Sequence, residues 1–440
     1  MSQALQIDAA PPRAVAQPAV ATRKKRWMAL DLFRFCAVCL MVQGHVFSTL
    51  LDSVTKGQSW YPHHSFVHGY TAPMFMFGAG LAFGYTTFKK WDDHASLGAP
   101  ARKRFMRYFW LLFIGYLLHM PTLSLARLLQ IDDPARIARM FQTDVLQHIG
   151  VSLAICQLLV FVVKRKKAFI WIVGALGSVA VLAAPWVWGW DLSSLPTPLA
   201  AYINASTGST FPLLPWAGFT YAGIVIAYGL SLDGRGGLAE PPPGRDTAHQ
   251  VRLAHLGQAS GAGIQDISRR AAWPFTALAL GLMVVPIVVD RFGPYPLPSH
   301  NFWKVNPLFF FWRLGNVVAL LAVLCHLERL GSWIAAVRGT GGWTETLKSW
   351  VKVVAAESLI VYVVHLVVLH GSVIAPGLKH GTVVHEHSHD LFEASVVAGL
   401  LLMAMFLLAK VWNELKKQPS AFRIVQGAML ALLGYLMLAG

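Results

Sequence analysis

Charged side chains are scarce in this chain. They make up 13% of its 440 residues, about half the share of an ordinary soluble domain. Acidic residues are scarcer still, 21 Asp and Glu against 37 Lys and Arg. Cysteine is limited to Cys36, Cys39, Cys156 and Cys325, each inside an apolar run, which argues against a disulfide framework. Cys36-Ala-Val-Cys39 has C-x-x-C spacing, yet it has no second pair and no βαβ context, so it does not read as a redox or metal motif. No G-x-x-x-x-G-K-[ST] occurs, which removes a nucleotide-driven pump from consideration, and no internal repeat is found.

What is abundant is apolar surface. The chain is 55% hydrophobic with a mean hydropathy of +0.51, and runs of the roughly 20 residues needed to cross a bilayer recur along it. The pattern predicts an all-α, polytopic transmembrane helical bundle of about 10–12 spans. We place them near 29–50, 67–88, 108–127, 145–163, 168–188, 211–231, 272–290, 307–326, 351–371, 393–413 and 421–439. Residues 1–28 read as a disordered basic segment rich in Ala, Pro and Gln, and 29–440 as one multi-span domain. The first apolar run is too long for a signal-peptide core and no small-residue cleavage site follows, so it reads as an uncleaved helix. The Gly- and Pro-rich stretch within 232–271 reads as a flexible connector.

The net charge of +16 raises the question of nucleic acid. The basic residues instead cluster in alternate loops: Arg23 to Arg26, Lys89 to Arg107, Lys164 to Lys167, Arg235 to Arg270, Arg329 to Lys348, and Lys416 to Arg423. That is the bias of inward-facing membrane loops, and it predicts a cytoplasmic N-terminus and no nucleic-acid partner. An odd number of spans places the C-terminus outside.

Against this apolar background, the stretch ALDLFRFCAVCLMVQGH (29–45) is anomalous. A charge at the bilayer centre costs roughly 2.5–3.5 kcal/mol on insertion scales. Arg34 and His45 share one helix face about 16 Å apart along the axis. Asp31, three residues before Arg34, has the spacing to pair with it, and Gly44 allows close approach beside His45. Read structurally, these residues are a juxtamembrane ion pair and a helix–helix hydrogen bond. Read functionally, they form a polar track leading to a histidine base. Asp144, Gln147 and His148 open the fourth span; Ser358, Tyr362 and His365 share a stripe on the ninth; Arg313 is a further costly charge in the eighth. The histidine-rich segments WYPHHSFVH (60–68) and KHGTVVHEHSHD (379–390) show no complete metal-ligand spacing, and no metal is expected.

The Arg34-x10-His45 spacing resembles the motif of membrane-bound acyltransferases that modify glycans. The fuller stretch ALDLFRFCAVCLM resembles the first helix of their heparan-α-glucosaminide N-acetyltransferase-like branch. APMFMFGAGLAFG (72–84), DVLQHIGVSLAI (144–155), FPLLPWAGFTYAGIVIAYG (211–229) and SLIVYVVHLVV (358–368) resemble later pieces in the expected order. Phe35 departs from the small residue that commonly follows the arginine, and His63 and His64 match only loosely the histidine that precedes the second helix.

The resemblance implies an acyl-CoA-dependent O- or N-acyltransferase in a bacterial inner membrane. It would take an acyl group, acetyl by preference, from cytoplasmic acyl-CoA to a glycan or glycolipid on the outer face, with no tightly bound cofactor. His45 would be base or nucleophile, Asp144 would orient it or hold the acceptor, and Arg34 with Asp31 would serve the donor phosphates. Trp216 would stack on a sugar, and Tyr362 and His365 would contact the oxyanion or the acceptor. The competing class is a transporter or flippase for a polar or glycolipid substrate, in which the same stripes line a path; CoA release separates the two.

Overall fold

Backbone amides inside a bilayer have no water to bond, so an apolar chain satisfies them within helices. The structure, a computed structural model, describes residues 26–232, 265–293, 297–298, 300–338, 342–373 and 375–439. The expected disordered segment therefore lies outside the described residues as far as residue 25, and the expected connector as far as residue 264. The principal helices are α1 (Met28–Leu50), α2 (Thr71–Lys89), α3 (Ala99–Leu117), α4 (Val145–Val163), α5 (Lys166–Leu182) and α6 (Leu213–Leu232). They continue with α7 (Gln265–Phe292), α8 (Pro307–Arg338), α9 (Gly342–Ala356), α10 (Ser358–His370), α11 (Leu391–Lys416) and α12 (Pro419–Ala439). Seven helices of the described residues are long and apolar enough to cross a membrane, or eight if the bent pair α9–α10 is one span. The chain is an integral membrane protein with an all-α helical bundle fold.

Helices stand at all eleven expected positions, with two corrections of detail. The third was expected over 108–127, but α3 begins at Ala99 and ends at Leu117. Pro100 fits its first turn, Arg102, Lys103, Arg104 and Arg107 are good helix formers, and Pro121 prevents continuation. The ninth, expected unbroken over 351–371, bends by 74° between Ala356 and Ser358. Glu357 sits at the bend, its buried carboxylate held by Lys416 and Asn413.

α1 is the axis of the bundle and packs against α2, α8, α9, α10 and α11. Its start is tied down by polar groups: Glu328 accepts from the Ala29 amide at 2.9 Å and from Ser268 at 2.6 Å, and Ser268 accepts from the Trp27 indole. One otherwise unpaired amide of the first turn is thereby satisfied. α2 and α6 pack closely, because glycines face backbone there. A Cβ at Gly80 would lie 1.9 Å from the Thr220 carbonyl oxygen, and one at Gly223 would lie 2.3 Å from that of Phe77. Such small-residue contacts replace the hydrophobic effect as the source of helix association in lipid.

Gly80→Ala should therefore lower stability by about 1–3 kcal/mol. Gly174→Ala, where a Cβ meets nothing within 4 Å, should be close to neutral. Thermal midpoints of the two variants in one detergent test this; equal midpoints would refute the packing argument.

Candidate active site

The polar residues of α1 separate into two ends. At the N-terminal end, Asp31 does not pair with Arg34 as its spacing suggested. Its carboxylate accepts from Arg26 Nη2 at 2.7 Å, because Arg26 lies just before the helix and can fold back over its first turn. Arg34 is left without a hydrogen bond or ion pair among the described residues, and it lines a cavity of about 410 Å³. The cavity follows α2 from Met74 to Thr86, about 18 Å of helix. Its walls are apolar, from Phe75, Ala79, Leu111, Ile149 and Leu153.

Three arginines line this cavity: Arg34, near the level of Phe77 and Gly78, and Arg104 and Arg107, toward Thr86. Arg104 is fixed in place. It donates to Thr87 at 2.9 Å, Gln157 at 3.0 Å and Thr86 at 2.8 Å, and lies over the Phe83 ring. Arg107 is exposed. Ser358 and Tyr362 of α10 and Val145 of α4 also line the cavity.

Tyr362 is the partition between the cavity and the histidines. It neighbours Asp144, and its ring lies 5.9 Å from that of His365. Asp144 also caps α4 in a capping box with Gln147 and is not hydrogen-bonded to His45. The direct Asp144–His45 contact expected from sequence is absent; the two are linked through Tyr362 and His365. His148 turns away from the site, its Nδ1 3.0 Å from the Phe211 carbonyl.

His45 lies among three other histidines. Ring centroids stand 5.2 Å away for His365, 5.5 Å for His68 and 6.2 Å for His370. His365 Nδ1 is 2.8 Å from the Val361 carbonyl oxygen, which makes that nitrogen the donor and leaves Nε2 as a buried atom without a partner. Gly44 is what admits His68, since a Cβ there would fall 1.8 Å from His68 Nδ1. Among the described residues no group of three or more His, Cys, Asp or Glu has the geometry to hold a metal ion. The histidine-rich segment 379–390 is tied to the end of α1: His387 and His389 amides donate to the Thr49 and Leu50 carbonyls at 3.0 Å, and His387 Nδ1 lies 2.9 Å from Lys56 Nζ.

A family model described as heparan-alpha-glucosaminide N-acetyltransferase, catalytic, matches residues 26–260. The chain belongs to this family. No curated protein matches the chain. Membership makes it a membrane acetyltransferase. The matched residues of this heparan-alpha-glucosaminide N-acetyltransferase family member include Arg34, His45, His68, Asp144 and Trp216; Tyr362, His365 and His370 lie beyond them and are brought in by the fold. Phe35, the departure from the family pattern, points to α11, where its ring lies 5.3 Å from Phe406.

His68 and His370 were missed as partners of His45. Gly44 beside His45 was the available signal that something packs there. For His370 there was none, since it lies five residues beyond His365 and off the stripe. Trp216 does not face the cavity. It is 6% exposed, packs at right angles on Phe211 at 4.8 Å, and stands with Tyr70 and Phe309 around the Arg313 guanidinium. Cation–π contacts, about 0.5–2 kcal/mol each, are of the size needed to hold an arginine at such depth.

Outside the spans, near Arg104, His94 is buried with an unpartnered Nδ1, while its carbonyl accepts from Gln157. Burial, reinforced by the Arg104 guanidinium, holds the His94 imidazole down at about 4 from 6.5. The unfolded chain then takes up the proton first, so stability is full above 6.5 and falls as pH drops toward 4. His94→Gln should reduce the acid slope of the thermal midpoint across that window; a slope equal to the parent's would refute it.

Proposed function

We propose that this membrane acetyltransferase takes its acyl group from acetyl-CoA on the cytoplasmic side and passes it to a hydroxyl or amine of a glycan or glycolipid on the outer face. The observation that carries the reading is the cavity. Three arginines and apolar walls line it together, and Tyr362, one helical turn from His365, borders it. A nucleotide thioester has matching parts: phosphates for Arg34 and Arg107, a slender arm for the apolar walls, and a reactive end that reaches toward Tyr362. In this reading the end near Arg104 and Arg107 is cytoplasmic, in a bacterial inner membrane, and Arg104 braces the wall of the cavity.

The chemistry requires a base near the thioester. His45 is the proposed base: its imidazole takes the proton from the acceptor O–H or N–H as that oxygen or nitrogen bonds to the thioester carbonyl carbon. The C–S bond then breaks, and the departing thiolate recovers the proton from the imidazolium. His365, whose Nε2 faces inward unpartnered, is proposed to position His45 or the acceptor. Asp144 and Tyr362 are proposed to hold α4 and α10 in register beside it. Asp31 serves the donor end through Arg26, and Trp216 serves the acceptor end through Arg313. The residues joined in this way span most of the chain, and we take 29–440 as one catalytic membrane domain.

Purified protein in lipid, supplied with radiolabelled acetyl-CoA and a panel of sugar acceptors, should release CoA. His45→Ala should reduce that release by about a hundredfold or more while the variant keeps its thermal midpoint. Label retained on the protein would make His45 the nucleophile instead of the base. No CoA release by folded parent protein across the panel would refute acetyl transfer and favour transport.

Arg34→Gln should raise KM for acetyl-CoA about tenfold or more, as expected for loss of one charge-assisted contact, with a smaller effect on kcat. A fall in kcat at unchanged KM would remove Arg34 from donor binding.

A further inference from the structure

A second constellation lies beside the histidines, and the donor cavity does not use it. Arg313 of α8 has neither hydrogen bond nor ion pair among the described residues, and its Nε is buried without a partner. The Tyr70 hydroxyl and the Trp216 indole nitrogen are also buried without a partner. All three residues meet: the Arg313 guanidinium carbon is 5.9 Å from the Tyr70 ring centre and 5.8 Å from that of Trp216, with Phe309 at 4.6 Å.

Guanidinium and indole can only donate, and the phenol hydroxyl can donate as well. Ring faces stabilise the cation but supply no acceptor in the plane of its N–H groups. A buried water would satisfy one or two donors and bring no charge to the guanidinium. The missing complement is an acceptor-rich anion, and a guanidinium grips carboxylate or phosphate oxygens in pairs.

The site is next to the proposed chemistry. A Cβ on Gly69 would stand 3.8 Å from Arg313 Nη2, and the preceding residue is His68, whose ring lies 5.5 Å from that of His45. We infer that Arg313, Tyr70 and Trp216 form an oxyanion-binding subsite that takes a carboxylate or phosphate of the acceptor and so directs a neighbouring hydroxyl or amine toward His45. This rests on the reading of His45 as the centre of acetyl transfer. It adds that the acceptor is anionic.

The test uses the full-length protein in lipid nanodiscs with three matched acceptors: methyl glucoside, methyl glucuronide and glucose 1-phosphate. Binding is read by calorimetric titration without donor, and CoA release is followed separately. We expect the parent to bind at least one of the two anions about tenfold or more tightly than the neutral sugar. Whichever anion is preferred names the source of the charge. Arg313→Gln should bring the ratio close to one, and Arg313→Lys should keep part of it. Tyr70→Phe and Trp216→Phe, each deleting one donor, should lower it by smaller factors and remain informative if Arg313→Gln does not fold. Equal binding of the three sugars by the parent, or a preference that survives loss of Arg313 or of both other donors, overturns the subsite. An Arg313-dependent preference without CoA release supports the subsite and counts against acetyl transfer.

Discussion

The bundle is arranged around α1, a helix that touches five of the other principal helices and is too apolar to leave and too polar to be inert. In lipid its packing partners cannot be held by the hydrophobic effect. Glycine contacts, buried polar ties and the shape of the aromatic side chains do the holding. The Glu328–Ser268–Trp27 cluster pins its start to α7 and α8, and the segment around His389 clasps its other end. Between those two anchors, Arg34 and His45 are kept at fixed depths. The parallel helix α10 repeats the gradient, from Ser358 and Tyr362 at the cavity to His365 and His370 at the histidines.

The two ends solve the problem of buried polarity differently. Along the cavity the guanidinium of Arg104 is engaged by Thr86, Thr87 and Gln157, while Arg34 lines it without a hydrogen bond among the described residues. At the histidine end four imidazoles share one small volume. Tyr362 separates the two and neighbours Asp144 at the capped start of α4. A thioester binding from one side and an acceptor approaching from the other would meet across this residue. That division suits transfer across a membrane better than a continuous polar path, which would leak.

Much of the fold could be read along the chain, because a bilayer imposes one rule on every span: about 20 apolar residues whose backbone bonds to itself. The two departures are positions where a local signal competed with that rule. At α3, basic residues with high helix propensity extended the helix upstream past the apolar run. At Glu357, two partners on α11 stabilised a buried carboxylate and so allowed a break. The site was legible only in part. The spacing of Arg34 and His45 on one face follows from helix geometry, and family membership bears on the segment that carries both.

Sequence by itself determined that this chain is a membrane-embedded helical bundle and that Arg34 and His45 stand about three turns apart on one face, since composition and helical period are local properties. Tertiary structure alone decided who their neighbours are. It paired Asp31 with Arg26, set His68, His365 and His370 around His45, and left Asp144 at the cap of α4 beside Tyr362. It also surrounded Arg313 with rings and left it without a hydrogen bond among the described residues. Those partnerships join residues up to 325 positions apart in the chain, as between His45 and His370. Periodicity fixes which face a side chain occupies, but only the packing of one helix on another fixes what that face meets.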